Sequence, residues 1–308
     1  MANITVPNVN FVPEVWANKA LQALRNNLVL ANKVSRDSDV AAFTEGVTLH
    51  IPVPGTFTAN TKTAGSAVTL QVPTDARVDV TLNQHKEVSF LIEDILKVQA
   101  NQDLMDRYIR NAVIPIAEAI ETYLFGLYAG FGVISTTATP ITAAILRTAR
   151  KTMNDNKAPE AGRTLIVTDA DEVSILGDAA LANYFAWAKP NAISGQANLE
   201  SGGTTGGNGA SSIGYVYGFD LYNSQLVPLA TQNKNLAFTK EALILAMRGM
   251  PDSGAPGVDQ MVVNDPLSGL TMRQTVSYSP NMLGVQVTLD VLFGASVMRA
   301  ADGLIVQS

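Results

Sequence analysis

Cysteine is absent from this chain of 308 residues, and histidine and tryptophan occur only twice each. Disulfides, thiol chemistry and cysteine-based metal sets are therefore excluded, and the lack of cysteine suits synthesis in a cytoplasm. The two histidines, His50 and His85, lie in or beside segments that alternate like strands. Neither is spaced with a second histidine as in HxxxH or HExxH, so each reads as a packed or solvated strand residue and not as a ligand. No GxSxG elbow occurs. No apolar run reaches the length of a membrane span, so no transmembrane helix is expected. The start, MANITVPNVNFVPEVW, lacks the basic and apolar regions of a signal peptide. Charge is also scarce: 16% of residues are charged and the net charge is −6. That balance argues against a dedicated nucleic-acid binder, although a local basic face could survive it.

What is present is apolar residue in ordered patterns. At 47% hydrophobic the chain is globular, and it is long enough for one large core or two. From about Gln102 to Ala129, Leu104, Tyr108, Ile109, Ala112, Val113, Ile116, Ile120, Leu124 and Leu127 recur at helical spacing. The opposite face carries Asp103, Asp106, Arg107, Arg110, Asn111, Glu118 and Glu121. At about 1.5 Å per residue such a helix runs roughly 40 Å, and something equally long must cover its apolar side. Asn101 is the expected N-cap, with Asp103 in the first turn. Gly130 and Gly132 are expected to end the helix, and Pro115 to kink or break it one turn earlier.

The flanking segments supply candidates for the cover. Residues 1 to 40 form an arm whose PEVWANKALQALRNNLVLANKV reads as a short helix, led by Pro13 and carrying Trp16, Leu28 and Leu30. Trp16 is a packing residue or an anchor on a neighbouring subunit. Next, Val47, Leu49, Ile51 and Val53 alternate with polar residues, as do Val78, Val80 and Leu82. These are two strands joined by a long tip rich in Thr, Gly and Ala, with Pro52 and Pro54 marking an edge or strand end. A two-stranded ribbon is marginal alone, so this projecting hairpin needs a partner surface, naturally another copy of the chain. KEVSFLIED, residues 86–94, adds a more buried strand.

ITAAILRTARKTMNDN gives a second amphipathic helix, and AGRTLIVTDADEVSIL gives a strand and a helix capped by Thr168 or Asp169. Residues 189–212 are low in complexity and read as a surface loop. LTMRQTVSYS and LGVQVTLDVLFGASV are terminal strands suited to an antiparallel sheet under the long helix.

Little of this carries chemistry. Gly202 to Gly209, GGTTGGNG, lacks the Lys-Ser/Thr of a phosphate loop. Asp169 to Glu172, DADE, could be read as a magnesium cluster, but acidic residues at a helix start are the ordinary response to the helix dipole. Arg147, Arg150 and Lys151 make a small basic face that is solvated or pairs with carboxylates across a subunit contact. No catalytic, cofactor-binding or metal residue is assigned, and no cofactor.

The order of VPEVWANKAL, GVTLHIPVPG, KEVSFLIED and APEAGRTLIVTDADEVSIL resembles the major capsid proteins of tailed double-stranded DNA phages, with the HK-97-like fold. The nearest branch is the coat proteins similar to that of the Salmonella podophage. The resemblance covers essentially the whole chain and implies an α+β fold. It implies an N-arm at 1–43 and an E-loop hairpin at 44–88. A P-domain follows at 89–136 and 241–308, with the long spine helix on an antiparallel sheet. The A-domain occupies 137–240, with a flexible Gly/Ser loop at 195–212.

It further implies assembly with itself as pentamers and hexamers into an icosahedral shell around the genome, the E-loop lying over a neighbour's P-domain. Expected partners are a separate scaffolding protein, a portal protein at one vertex, a decoration protein and the packaged double-stranded DNA, touched non-specifically. No membrane is expected. The location implied is the virion capsid, after synthesis in the host bacterial cytoplasm. The inserted β-domain of the Salmonella phage coat protein has no counterpart beyond the loop near 195–212. Some relatives crosslink an E-loop lysine, and Lys62 is the lysine near this tip. An encapsulin-like compartment and a soluble enzyme with an unrecognised site are the alternatives.

Overall fold

The computed structural model of the chain describes residues 20, 28–36, 48–53, 57–72, 76–94, 104–134, 140–178, 214–229, 232–251, 254, 258–265 and 270–308. Trp16, the Asn101 cap with Asp103, and the segment 195–212 lie outside the described residues.

The periodic stretch forms helix α1, Leu104–Gly126, followed by a 3-10 turn at Leu127–Gly130. It buries Ile109, Val113, Ile116, Ile120 and Leu124, with Ala112 and Ala117 between them allowing close approach. Full burial of each large apolar side chain stabilises by about 1.5–3 kcal/mol. The expected break at Pro115 does not occur, and the helix runs through it. Pro115 and Asn111 are both exposed, so water can satisfy the carbonyl left without an N–H donor. Residues Asn111–Gly130 are long and apolar enough to cross a bilayer by composition. Most of their large apolar side chains instead face the protein core.

The cover is a six-stranded sheet. Its hub is β13, Gly284–Val297. It pairs antiparallel with β4 (Gln84–Glu93), β12 (Leu270–Ser279) and β10 (Leu243–Arg248). Strand β11, Val258–Asp265, pairs with β12, and β1, Ser35–Arg36, lies parallel to β10. The alternation in β13 does what its period requires: Val287, Leu289, Val291 and Phe293 turn into the core with the helix. Strand β4 is less buried than its sequence suggests. Ile92 is buried, while Val88 and Phe90 are half-buried.

A second six-stranded sheet has the order β5 (Gly132–Ile134), β14 (Gly303–Gln307), β9 (Lys234–Phe238), β6 (Thr164–Val167), β8 (Phe219–Asn223) and β7 (Gly214–Val216). All four residues of β6 are buried. Leu165 and Val167 meet helix α2, Ala143–Asp155, and helix α3, Asp169–Gly177, while Ile166 faces the main core. Burial on both faces is the reason TLIV reads as a continuous apolar run. The sequence reading put all of 241–308 with the long helix, yet the last strand, β14, pairs in this second sheet.

The arm differs from expectation as well. Residues 28–34 are turns and bends, not helix. Leu28, Leu30, Ala31 and Val34 are buried in the subunit's own core, so this part of the arm does not wait for a sister copy.

One core residue is out of keeping. Gln274 on β12 is 1% exposed, and neither amide atom meets a hydrogen-bond partner. Removing a buried, unsatisfied amide should stabilise, so Gln274→Leu is expected to gain about 1–3 kcal/mol. Urea unfolding would show a higher midpoint at unchanged slope. A lower midpoint would mean that Gln274 is held by a favourable contact after all.

Candidate assembly surface

Strands β2, Thr48–Val53, and β3, Ala76–Thr81, pair in register as the expected hairpin stem. The stem is not coreless at its base. Val80 and Leu82 pack with Ile244 and Ala246 of β10, and Leu49, Ile51 and Val78 join them. The seat is close: a Cβ on Gly294 of β13 would lie 2.1 Å from the Thr81 carbonyl oxygen. On the stem, His50 Nδ1 lies 2.6 Å from Asp79 Oδ1, and Arg77 Nε lies 3.1 Å from the same oxygen. This is a surface charge cluster and brings no third metal ligand.

Beyond the stem, residues 57–72 form no strand ladder. The Gln71 side chain clips the two runs together, accepting from the Thr58 N–H at 2.9 Å and donating to its carbonyl. Here the tip departs from its polar description. Phe57, Val68, Leu70 and Val72 are 69%, 65%, 87% and 93% exposed. The last three alternate at period two, which is the pattern of one strand face, but among the described residues nothing buries that face. Scattered exposed apolar residues are ordinary, whereas four on one projecting ribbon mark an interaction surface.

His85 also has a partner. Its Nε2 lies 3.0 Å from Asp290 Oδ2. Arg273 donates from Nε and Nη2 to both oxygens of the same carboxylate at 3.0 and 2.9 Å. Asp290 is buried, so this bidentate pair fixes β12 against β13, and removing one partner would leave a buried charge.

The DADE segment is a helix start. Thr168 caps α3 by accepting from the Asp171 N–H. Asp171 Oδ2 accepts from Thr168, Asn233, Asn235 and Ser308 side chains at 2.7–3.0 Å. Asp171 therefore ties α3 to the end of the chain. Glu172 accepts from Asn223. Among the described residues no cluster of three His, Asp or Glu has metal-binding geometry. On the basic face of α2, Lys151 pairs with Asp155 at 2.8 Å, and Arg147 donates to the Ala143 carbonyl. A cavity of about 340 Å³ opens between α1, α3 and the turn after β8, lined by Val29, Glu118, Asp169 and Ser224 among others. Its lining includes no histidine or lysine.

A carboxylate that the sequence placed on the outer face of α1 is buried. Glu121 is 1% exposed. It accepts the backbone N–H groups of Val29 and Ala31 on Oε1, at 2.8 and 3.0 Å, and that of Leu30 on Oε2, at 2.9 Å. Burial pushes its pKa up to about 7, opposed by these three bonds and by Arg36.

The sequence matches no family model and no curated protein. Solved structures do match over nearly the whole chain. A structure from Mycobacterium phage Che8 superposes with a TM-score of 0.61 at 17% identity, covering 91% of this chain and 90% of that one. The capsid of cyanophage P-SCSP1u gives 0.58 at 14%, covering 92% and 88%. A virus-like particle from Pyrococcus furiosus gives 0.52 at 10%, covering 96% and 98%. The fold is thus the α+β, HK-97-like fold of shell-forming proteins, as the sequence resemblance implied.

Proposed function

We propose that this protein is the major capsid subunit of a tailed double-stranded DNA phage, assembling as pentamers and hexamers into an icosahedral shell. Its role is structural, with no turnover. The observation that carries this reading is the hairpin tip: four large apolar side chains, 65–93% exposed, on a ribbon clipped to itself and not covered by any of the described residues. Many modest repeated contacts of this kind close a shell by avidity. The whole-chain fold supports it, since one matched structure is a phage capsid.

The same reading supplies the subunit's surroundings. A separate scaffolding protein guides assembly, a portal protein occupies one vertex, and the shell lies around packaged DNA. The branch similar to the Salmonella podophage coat protein rests on the sequence resemblance. The domain boundaries at 43, 88, 136 and 240 rest on it too.

A second reading has a specific support, because a virus-like particle shares the fold. Negative-stain microscopy of the subunit co-expressed with its neighbouring genes tests both. Closed shells holding nuclease-protected DNA would support the phage capsid. Shells holding an enzyme instead would favour the compartment. A monodisperse monomer under all conditions would defeat both.

A further inference from the structure

Helix α2 and the cavity beside α1 lie on opposite faces of the second sheet. On one face Leu146, Ala149 and Met153 of α2 share a core with Leu165, Val167 and Leu221. On the other, α1 packs with Ile166 and Tyr222, and Val29 and Leu226 of the cavity wall rest on the same core. The outer side of α2 presents Arg147, Arg150 and Lys151, all exposed. The cavity, about 340 Å³, has apolar walls at Val29, Ile114, Ala117 and Leu226 and two carboxylates, Glu118 and Asp169, with no cation in its lining. We propose that these two surfaces form a head-to-tail contact between copies of this chain, in which Arg150 of a second copy enters the cavity and its guanidinium lies between Glu118 and Asp169.

The charges match in engagement as well as in sign. Among the described residues, Glu118, Asp169 and Arg150 have no side-chain hydrogen bond or ion pair. By contrast, Lys151 already pairs with Asp155, and Arg147 donates to its own helix. Within its own subunit Arg150 feels the like charge of the buried Arg163. Asp169 gains from the α3 dipole, but Glu118 sits mid-helix without that compensation. An arginine also suits the walls, because its aliphatic stem covers apolar surface while its planar head binds carboxylates. Since the two surfaces are unlike and face apart, one subunit cannot satisfy itself. Each copy gives α2 to one neighbour and its cavity to another, and such a contact closes into a ring when the rotation between copies allows it. A single exposed pair contributes little, so the weight of this one comes from repetition around the ring. The contact presupposes the shell reading and is separate from the hairpin tip.

Charge exchange tests it in the full chain co-expressed with its neighbouring genes, with the fraction in particles read by sedimentation. Arg150→Glu and Glu118→Arg each set like charges against one another in every such contact, and each should lower the assembled fraction by about tenfold or more. The double variant restores opposite charges and should return to within about twofold of wild type. Single variants that assemble as well as wild type, or a double variant no better than the singles, overturn the contact. A wild type that stays monomeric defeats the shell reading and this contact with it, whereas wild-type shells without rescue sink the contact alone. Should a reversed variant not fold, Arg150→Gln decides. At low salt it should assemble less than wild type, and the gap should close near about 1 M salt, where charges are screened within about 3 Å. Equal assembly at low salt, or a gap that salt leaves unchanged, overturns the proposal.

Discussion

Replacing Phe57, Leu70 and Val72 together by serine is expected to leave the subunit folded and to abolish closed shells. The three side chains are 69%, 87% and 93% exposed, so the subunit has almost no packing to lose. Surface substitutions of this kind usually fall within about 0.5 kcal/mol each. The Gln71–Thr58 clip that shapes the tip is untouched. In an assembled contact the balance reverses. Burying three such side chains contributes about 4.5–9 kcal/mol per tip before ordering costs. That is several powers of ten in each contact constant, and every subunit of a shell carries the deficit. Circular-dichroism melting and electron microscopy read the two halves separately. Normal shells from the triple variant would remove the tip from the assembly surface. A melting temperature several degrees lower would mean that the tip packs on its own body.

The sequence was most legible where a pattern is local. Helix α1 and strand β13 followed from their periods, because 3.6 and 2.0 are properties of the backbone and need no knowledge of the partner. The hairpin stem was legible for the same reason. What failed were readings that depend on where a distant segment sits. Glu121 was assigned outward because it is charged. Its spacing said otherwise, since Ala117, Glu121 and Leu124 lie at i, i+4 and i+7 on the buried stripe. Only the arrival of the N–H groups of Val29, Leu30 and Ala31 makes that position tolerable, and those lie some ninety residues earlier in the chain.

The arm at residues 28–34 read as helix because Leu21, Leu24 and Leu28 are helically spaced. Residues 28–34 are turns and bends instead, with the N–H groups of Val29, Leu30 and Ala31 committed to Glu121 and that of Lys33 to the Leu30 carbonyl. The tip was described as polar from its threonines and glycines, although the alternation of Val68, Leu70 and Val72 was there to be read. Strand β14 was grouped with its sequence neighbours, and only its pairing with Lys234–Phe238 places it in the second sheet.

The seat of the hairpin gives the other large effect. Gly294→Ala adds one methyl where the nearest atoms are the Thr81 carbonyl oxygen at 2.1 Å, its carbon at 2.8 Å and the Leu82 Cα at 3.1 Å. All three are backbone, so no side chain can swing aside; β3 must lift from β13. That motion would open the small core of Val80, Leu82, Ile244 and Ala246. The expected cost is about 3 kcal/mol or more, roughly 5 °C in melting temperature for a chain of this size. Gly126→Ala is the matched control. Gly126 ends α1 with φ −59° and ψ −20°, and nothing lies within 4 Å of an added Cβ. There the same methyl should stabilise by up to about 1 kcal/mol, because glycine is the poorer helix residue. Opposite signs at the two positions would tie the hairpin to its seat on β13. An unchanged melting temperature for Gly294→Ala would mean that the stem is free of the sheet in solution, and that its orientation is set by a neighbouring copy.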